Sequence, residues 1–424
     1  MRPLRTLIAS LAALALLAAL PAAAAAARAG AKPQNSCLDC HRELDDARLA
    51  APAKAFREDV HGAHGLGCIG CHGGDPTDTD ITSMDPDKGF KGTPARKDIA
   101  EMCATCHANV EFMKRYNPQP YIFSMAEFRT SVHCKRIEEG DPKVATCTNC
   151  HGVHGMLSRK DPRSPVHRRN VPATCARCHN PEYMKGRTAP TDQYALYRTS
   201  VHGKALLEKG DLSAPACNNC HGNHGAVPPN TRDISLVCGT CHGREGELFA
   251  KSTVKAGLEL EGKRGCATCH GNHGVQLPTD ALIGTTGAGV CGRCHERGSA
   301  GARATDVIVP AFHALKARIG NADSLLDVAD RLGMEVEAGR ELLKQADDQL
   351  VNVRATLHGF DTKQITAVLT EGDGLADQAI SQARAALKDW RTRRIGMAVS
   401  VVAILLMAGL LVLRIRRLER GAGA

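Results

Sequence analysis

Aromatic residues are scarce in this sequence. Phe, Tyr and Trp together make up 3% of 424 residues, with a single Trp. That is thin for a conventional core in a chain of this length. Sustained hydrophobic periodicity is also missing from residues 30–300, where Gly, Pro, Asn and Thr recur between short apolar stretches. Long helices and extended strands are therefore not expected there, and such segments need something other than their own side chains to fold around. Cysteine is absent after residue 294, and only one, Cys134, stands outside a single repeated motif.

That motif is C-x-x-C-H, and it occurs nine times. The copies are Cys37, Cys40 and His41; Cys68, Cys71 and His72; Cys103, Cys106 and His107; Cys147, Cys150 and His151; Cys175, Cys178 and His179; Cys217, Cys220 and His221; Cys238, Cys241 and His242; Cys266, Cys269 and His270; and Cys291, Cys294 and His295. Zinc knuckles, structural disulfides or a dithiol redox pair would each explain a CxxC. None explains a histidine directly after every one. Covalent haem does: two thioethers hold the vinyl groups, and the adjacent histidine reaches the iron as proximal ligand. Nine covalently bound haem c groups are expected, and their porphyrins supply the flat apolar bodies that the side chains lack.

The formal charge of +9 does not indicate nucleic acid. Nine haems would add roughly −18 from their propionates, so many lysines and arginines are expected to serve as propionate partners. Arg2 and Arg5 precede an apolar run at 7–20 and an alanine-rich stretch, as in a secretory signal peptide over 1–27. Export is expected, because haem attachment of this kind takes place outside the cytoplasmic membrane.

The motifs form an array. FRTSVHC at 128–134 and YRTSVHG at 197–203 are each followed, 14 or 15 positions after the histidine, by CxxCHGxHG and later by a second CxxCH. A looser copy starts FREDVHG at 56, and a fourth starts LFAKSTVKAG at 248. Four two-haem repeats and one leading haem at Cys37 account for a haem domain over 28–300.

From about residue 306 apolar residues recur at helical spacing: Phe312, Leu315 and Ile319, then Leu342, Leu343, Ala346, Leu350, Val353 and Leu357. Pro310 suits a helix start, Gly333 and Gly359 suit breaks, and Asp361 or Thr362 suits a cap. The spacing predicts helices over 310–331, 335–358 and 362–393, the third open to interruption by EGDG at 371–374, in a helical bundle over 301–393. Residues 395–413 are nineteen in a row without a charge, long enough to cross a bilayer. A transmembrane helix over 394–414 and a cytoplasmic tail over 415–424 follow. Arginines flank the span on both sides, so orientation rests on the exported haems. The expected fold is mainly α with much irregular structure: a haem-packed domain, a C-terminal long-helix bundle and one transmembrane helix.

Ten histidines lie outside the nine motifs: His61, His64, His133, His154, His167, His202, His224, His273, His313 and His358. Nine irons need nine sixth ligands, which points to bis-histidine ligation with one spare; His61, His64 and His167 compete for that place. His61, His133 and His202 fill the V-H slot of the first three repeats, a slot without histidine in the fourth. His313 and His358 are expected at one end of an antiparallel helix pair, where both would ligate haems and staple the bundle to the haem domain. Met102 and Met184 are alternative axial ligands that this supply of histidine makes unnecessary.

The repeated CxxCHGxHG, the upstream SVH, the export signal and the helical tail resemble the multihaem c-type cytochromes of bacterial anaerobic respiration. More narrowly, residues 37–295 are similar to the doubled-CxxCH, cytochrome c3-like group. In that group histidines just beyond the motif ligate an adjacent haem, which implies that role for His154, His224 and His273. The long C-terminal helices carry a weaker resemblance to the nitrite reductase and hydroxylamine oxidoreductase superfamily, but no CxxCK is present. The resemblance implies electron transfer in the periplasm, from an inner-membrane anchor, between a quinone-linked membrane subunit and periplasmic carriers. The rival expectation is a multihaem reductase or oxidase of small nitrogen or sulfur compounds, with Cys134, beside His133, as the candidate catalytic thiol.

Overall fold

The computed structural model describes residues 35–228 and 234–422; the expected signal peptide lies outside them. The fold is mainly helical, 64% helix, with no strand among the described residues. The chain divides between Pro228 and Pro229 into two compact units.

In the first unit the helices are short, and local hydrogen bonds set where each begins and ends. Ser131 and Ser200 cap the helices Val132–Glu138 and Val201–Gly203, accepting from Cys134 N at 3.0 Å and Gly203 N at 2.9 Å. Asp59 holds the same place in the first repeat, accepting from His61 N at 2.8 Å. The repeated aromatic upstream is buried in both later repeats, as Phe128 and Tyr197. Asn149 and Asn219, inside their own CxxCH motifs, accept from the backbone N–H of Thr146 at 2.8 Å and Ala216 at 2.9 Å. The glycine of CxxCHG then ends the helix: Gly73, Gly152 and Gly222 sit at φ of 70°, 85° and 85°, where a side chain would be strained. Apolar clusters are small here. One joins Ala100, Ala104, Phe123, Phe128 and Cys134, and another Tyr197, Leu206, Ala214 and Ala216.

The second unit holds the last three motifs and three long helices, Ala300–Arg331, Glu337–Thr356 and Thr362–Ala422. Their core is conventional: Phe312, Leu315, Ile319 and Leu326 meet Leu343, Ala346, Leu350 and Val353, then Ile365, Leu369, Ala376, Ala379 and Ala383. The alanines on the third helix are fully buried, which lets the helices approach closely. Arg340 reaches Asp327 at 2.7 Å and Arg318 reaches Asp373 at 2.9 Å. Gly333, at φ 76°, ends the first helix. Asp361 caps the third, accepting from Lys363 N at 2.9 Å and Gln364 N at 3.3 Å.

Three helix expectations need correction. The first long helix begins at Ala300, ten residues before Pro310, because Ser299 caps it by accepting from Ala302 N at 3.2 Å. Pro310 therefore lies inside the helix. The third helix runs unbroken through EGDG: a Cβ on Gly372 would lie 2.9 Å from Leu315 Cδ2, so this glycine serves close packing and not a turn. The same helix continues past residue 393 into the apolar stretch without a joint. Residues 395–413 are exposed along their whole length and form one helix long and apolar enough to cross a membrane.

If the bundle is held as described, Leu315→Ala should destabilise it by about 2–5 kcal/mol through the cavity it leaves. Gly372→Val should cost about 1–3 kcal/mol through overpacking. Chemical denaturation followed by the far-ultraviolet helix signal would measure both, and two unchanged midpoints would contradict this packing.

Candidate haem sites

Each CxxCH motif except the last begins, ends or lies within a short helix, and the last forms a 3₁₀ turn at Cys291–Arg293. The first unit brings neighbouring motifs together in chain order. Cys37 lies near Cys68, and Cys71 near Cys106. The sulfurs of Cys103 and Cys147 lie beside each other, as do those of Cys175 and Cys217. Between them Cys150 lies against Cys175 and Cys178. Within the second unit Cys269 lies against Cys291 and Cys294. An arginine ties the two motifs of a repeat: Arg177 Nη2 donates to Asn149 O at 2.8 Å, and Arg293 Nη1 to Thr268 O at 3.3 Å.

Proximal histidines face a second histidine in both units. In the first unit the ring centres are 6.0 Å apart for His107 and His61, 5.9 Å for His72 and His154, 6.3 Å for His179 and His133, and 6.2 Å for His151 and His224. In the second unit His270 and His358 are 6.0 Å apart. A metal–imidazole bond of roughly 2 Å on each face, with each ring centre roughly 1 Å further out, puts two trans imidazoles roughly 6 Å apart. The residues therefore fit a six-coordinate iron between each pair.

The pairs follow a rule. The V-H histidine faces the second motif of its own repeat, as His61 to His107 and His133 to His179. The second histidine of CxxCHGxHG reaches back to the first motif of the preceding repeat, as His154 to His72 and His224 to His151. The two classes differ in ring orientation. V-H pairs are near perpendicular, at 75° and 70°. The reach-back pairs are near parallel, at 21° and 20°, as is His270 with His358 at 19°.

Tautomers and charge suit the same task. Nδ1–H donates to Gly92 O from His72 at 2.8 Å, to Leu49 O from His41 at 3.2 Å, to Val227 O from His221 at 3.1 Å and to Arg354 O from His358 at 3.1 Å. Nε2 is then the nitrogen left for a metal. Burial lowers the pKa of His107, His133, His151, His154, His179, His224 and His270, with the neighbouring imidazoles adding to it at most of them. The neutral form, the one that ligates, is favoured. His61 donates to a carboxylate, Asp59 Oδ1 at 2.9 Å, whose other oxygen accepts from Met156 N at 2.9 Å. Asp59 is buried, and the later repeats carry Ser131, Ser200 and Ser252 in its place. Nothing in the sequence pattern alone distinguished it from a helix cap.

His64, His167 and His313 stand elsewhere. His64 is exposed, with its ring 5.7 Å from Tyr116. His167 lines a cavity with Pro162, Arg169, Asn170, Gly210 and Leu212, and its buried Nδ1 has no hydrogen-bond partner. His202 follows the Ser200 cap, and His273 N donates to Asn272 Oδ1 at 2.8 Å. His313 is exposed on the first long helix, its ring 6.2 Å from Phe312. Cys134 is buried, and its sulfur donates to Glu138 Oε1 at 3.7 Å. Burial, helped by the Glu138 carboxylate, pushes this thiol up, so it stays protonated and packs as a small apolar residue.

A family model for the doubled CXXCH motif matches residues 261–300, which hold the motifs at 266 and 291. No curated protein and no solved structure matches the chain. The motif match supports a multihaem c-type cytochrome, and the CxxCH motifs indicate covalently bound haem c.

Two low-spin ferric signals should appear by electron paramagnetic resonance, one from near-parallel and one from near-perpendicular imidazoles; a single class would contradict the ring geometry. His224→Ala should convert one haem from the near-parallel class to high spin without lowering haem content. Asp59→Ser removes the carboxylate that makes His61 a stronger donor. It should raise one midpoint potential by on the order of 60 mV, the equivalent of a tenfold change in ferric preference, as read by potentiometry.

Proposed function

We propose that this chain is a nonahaem electron carrier, held at the bacterial inner membrane by its C-terminal helix with the haems in the periplasm. It passes electrons between a quinone-linked membrane subunit and periplasmic carriers in an anaerobic-type respiration. The observation that carries this reading is the set of five histidine pairs at 5.9–6.3 Å. An iron clamped on both faces offers no position to substrate, and two imidazoles give low potentials compared with a histidine–methionine pair. Within each unit, the chain-order succession of attachment cysteines supports a path between neighbouring haems. The exposed apolar helix suits an anchor, and an exported haem domain sets its orientation.

The chemistry of the chain's own residues follows from this arrangement. Proximal and distal imidazoles would hold each iron on both faces, so electron transfer would move little structure. Bound haem c supplies the one-electron couple. The protonated, buried Cys134 supports packing and not catalysis, which weighs against the reductase alternative.

Haemochrome quantification should give nine haems per chain. With a reduced viologen as donor, the purified full-length protein should accept electrons into all of them, yet show no sustained turnover of nitrite, hydroxylamine or sulfite. Steady turnover of any of these would overturn the carrier reading, and a count of eight or fewer would overturn the nonahaem assignment.

A further inference from the structure

One distal ligand is held by more than its own loop. Beside His224 the backbone is docked: Ala226 O accepts from Val132 N at 3.0 Å, and Gly225 N donates to Glu127 Oε1 at 3.3 Å. A Cβ on Gly225 would lie 2.9 Å from Glu127 Cγ and 3.2 Å from Glu127 O, so this backbone has little room to shift. What remains free is rotation of the imidazole itself. Two side chains from the stretch between the helices Val110–Lys114 and Met125–Thr130 restrict it. The Phe123 ring meets the imidazole edge to face, with centres 4.9 Å apart and planes at 87°. The Tyr121 hydroxyl lies 3.3 Å from His224 Nδ1.

Phe123 is itself fixed. It is buried in the cluster with Ala100, Ala104 and Phe128, its ring centre is 6.0 Å from that of Phe128, and its N–H donates to His107 O at 2.9 Å. One short stretch therefore touches the proximal histidine of one motif through its backbone and the distal histidine facing the next motif through its side chains. This stretch is particular to the second repeat. At the same distances before the repeated aromatic, the first repeat has Leu49 and Ala51, both inside the helix Ala47–Ala55, and the third has Pro190 and Asp192. With Nδ1–H of His224 donating to the Tyr121 oxygen, Nε2 is the nitrogen that meets a metal, and the hydrogen bond makes the ring a stronger donor.

We propose that Tyr121 and Phe123 are positioning residues for the iron between His151 and His224. Phe123 fixes the plane of the distal imidazole, which stands near parallel to His151 at 20°. Tyr121 strengthens that imidazole as a donor, which stabilises the ferric state and lowers the potential of this one haem. The inference rests on the ligation scheme above and deepens the carrier reading: among irons with the same pair of ligands, a neighbouring phenol and phenyl ring set one apart.

Potentiometry of the purified full-length protein, followed at the near-parallel low-spin signal, is the test. Tyr121→Phe should move one midpoint potential upward by the equivalent of a threefold loss of ferric preference, about 30 mV, with haem content and both low-spin classes unchanged. Phe123→Leu should shift one near-parallel signal toward a larger angle between imidazole planes. In the His224→Ala background, Tyr121→Phe should have no further effect. Unchanged potentials in Tyr121→Phe, as expected if water replaces the phenol, would overturn the proposal, and so would a shift that persists in His224→Ala. Either result leaves the electron-carrier reading intact, because the iron keeps both histidines. Should His224→Ala leave every haem low-spin, the ligation scheme and the proposal fall together.

Discussion

Two imidazoles held roughly 6 Å apart are the constraint on which the haem-bearing part of this chain depends. Such a gap is too wide for ring-to-ring packing and leaves polar nitrogens half-buried and facing each other. It becomes favourable only with a metal between them. In the four pairs of the first unit the two rings come from segments well separated in sequence, so each metal would act as a cross-link. The apolar clusters around them hold four or five buried residues each, too few to fix positions of eleven or more short helices by themselves. Haem and histidine do what a hydrophobic core does elsewhere.

The reach-back pairs give the array its direction. Because the second histidine of CxxCHGxHG faces the first motif of the repeat before it, the first and second repeats are each completed by their successor, as in other stacked repeats. The successor of the fourth repeat is not another repeat but the turn at Leu357–Gly359, where His358 meets His270.

The long helices obey a different physics. Leu, Ile, Phe and Ala at helical spacing bury one face of each helix, arginine–aspartate pairs line the outside, and small residues set how closely the helices approach. The third helix continues into the apolar segment, so the bundle and that segment share one helix with no loop between them. Asp59 shows how the two kinds of constraint meet in one side chain. It ends the backbone's need for a helix cap and at the same time polarises the imidazole that follows.

Local chemistry was legible in the sequence. The attachment cysteines and proximal histidines are adjacent along the chain, so a pentapeptide specifies them; the caps Ser131, Ser200 and Asp361 and the helix-ending glycines act within four residues; and the stripe from Phe312 to Val353 follows helical period. Readings that depended on neighbours in space fared differently. Pro310 and EGDG carry helix-breaking residues, yet the helices continue through both, because Ser299 and the contact of Gly372 with Leu315 outweigh a local preference. His313 and His358 looked equivalent on paper, but only one of them faces a motif histidine. Which distant imidazole meets which motif was decided by tertiary structure alone, since opposing ligands across one iron share a metal and not a stretch of chain.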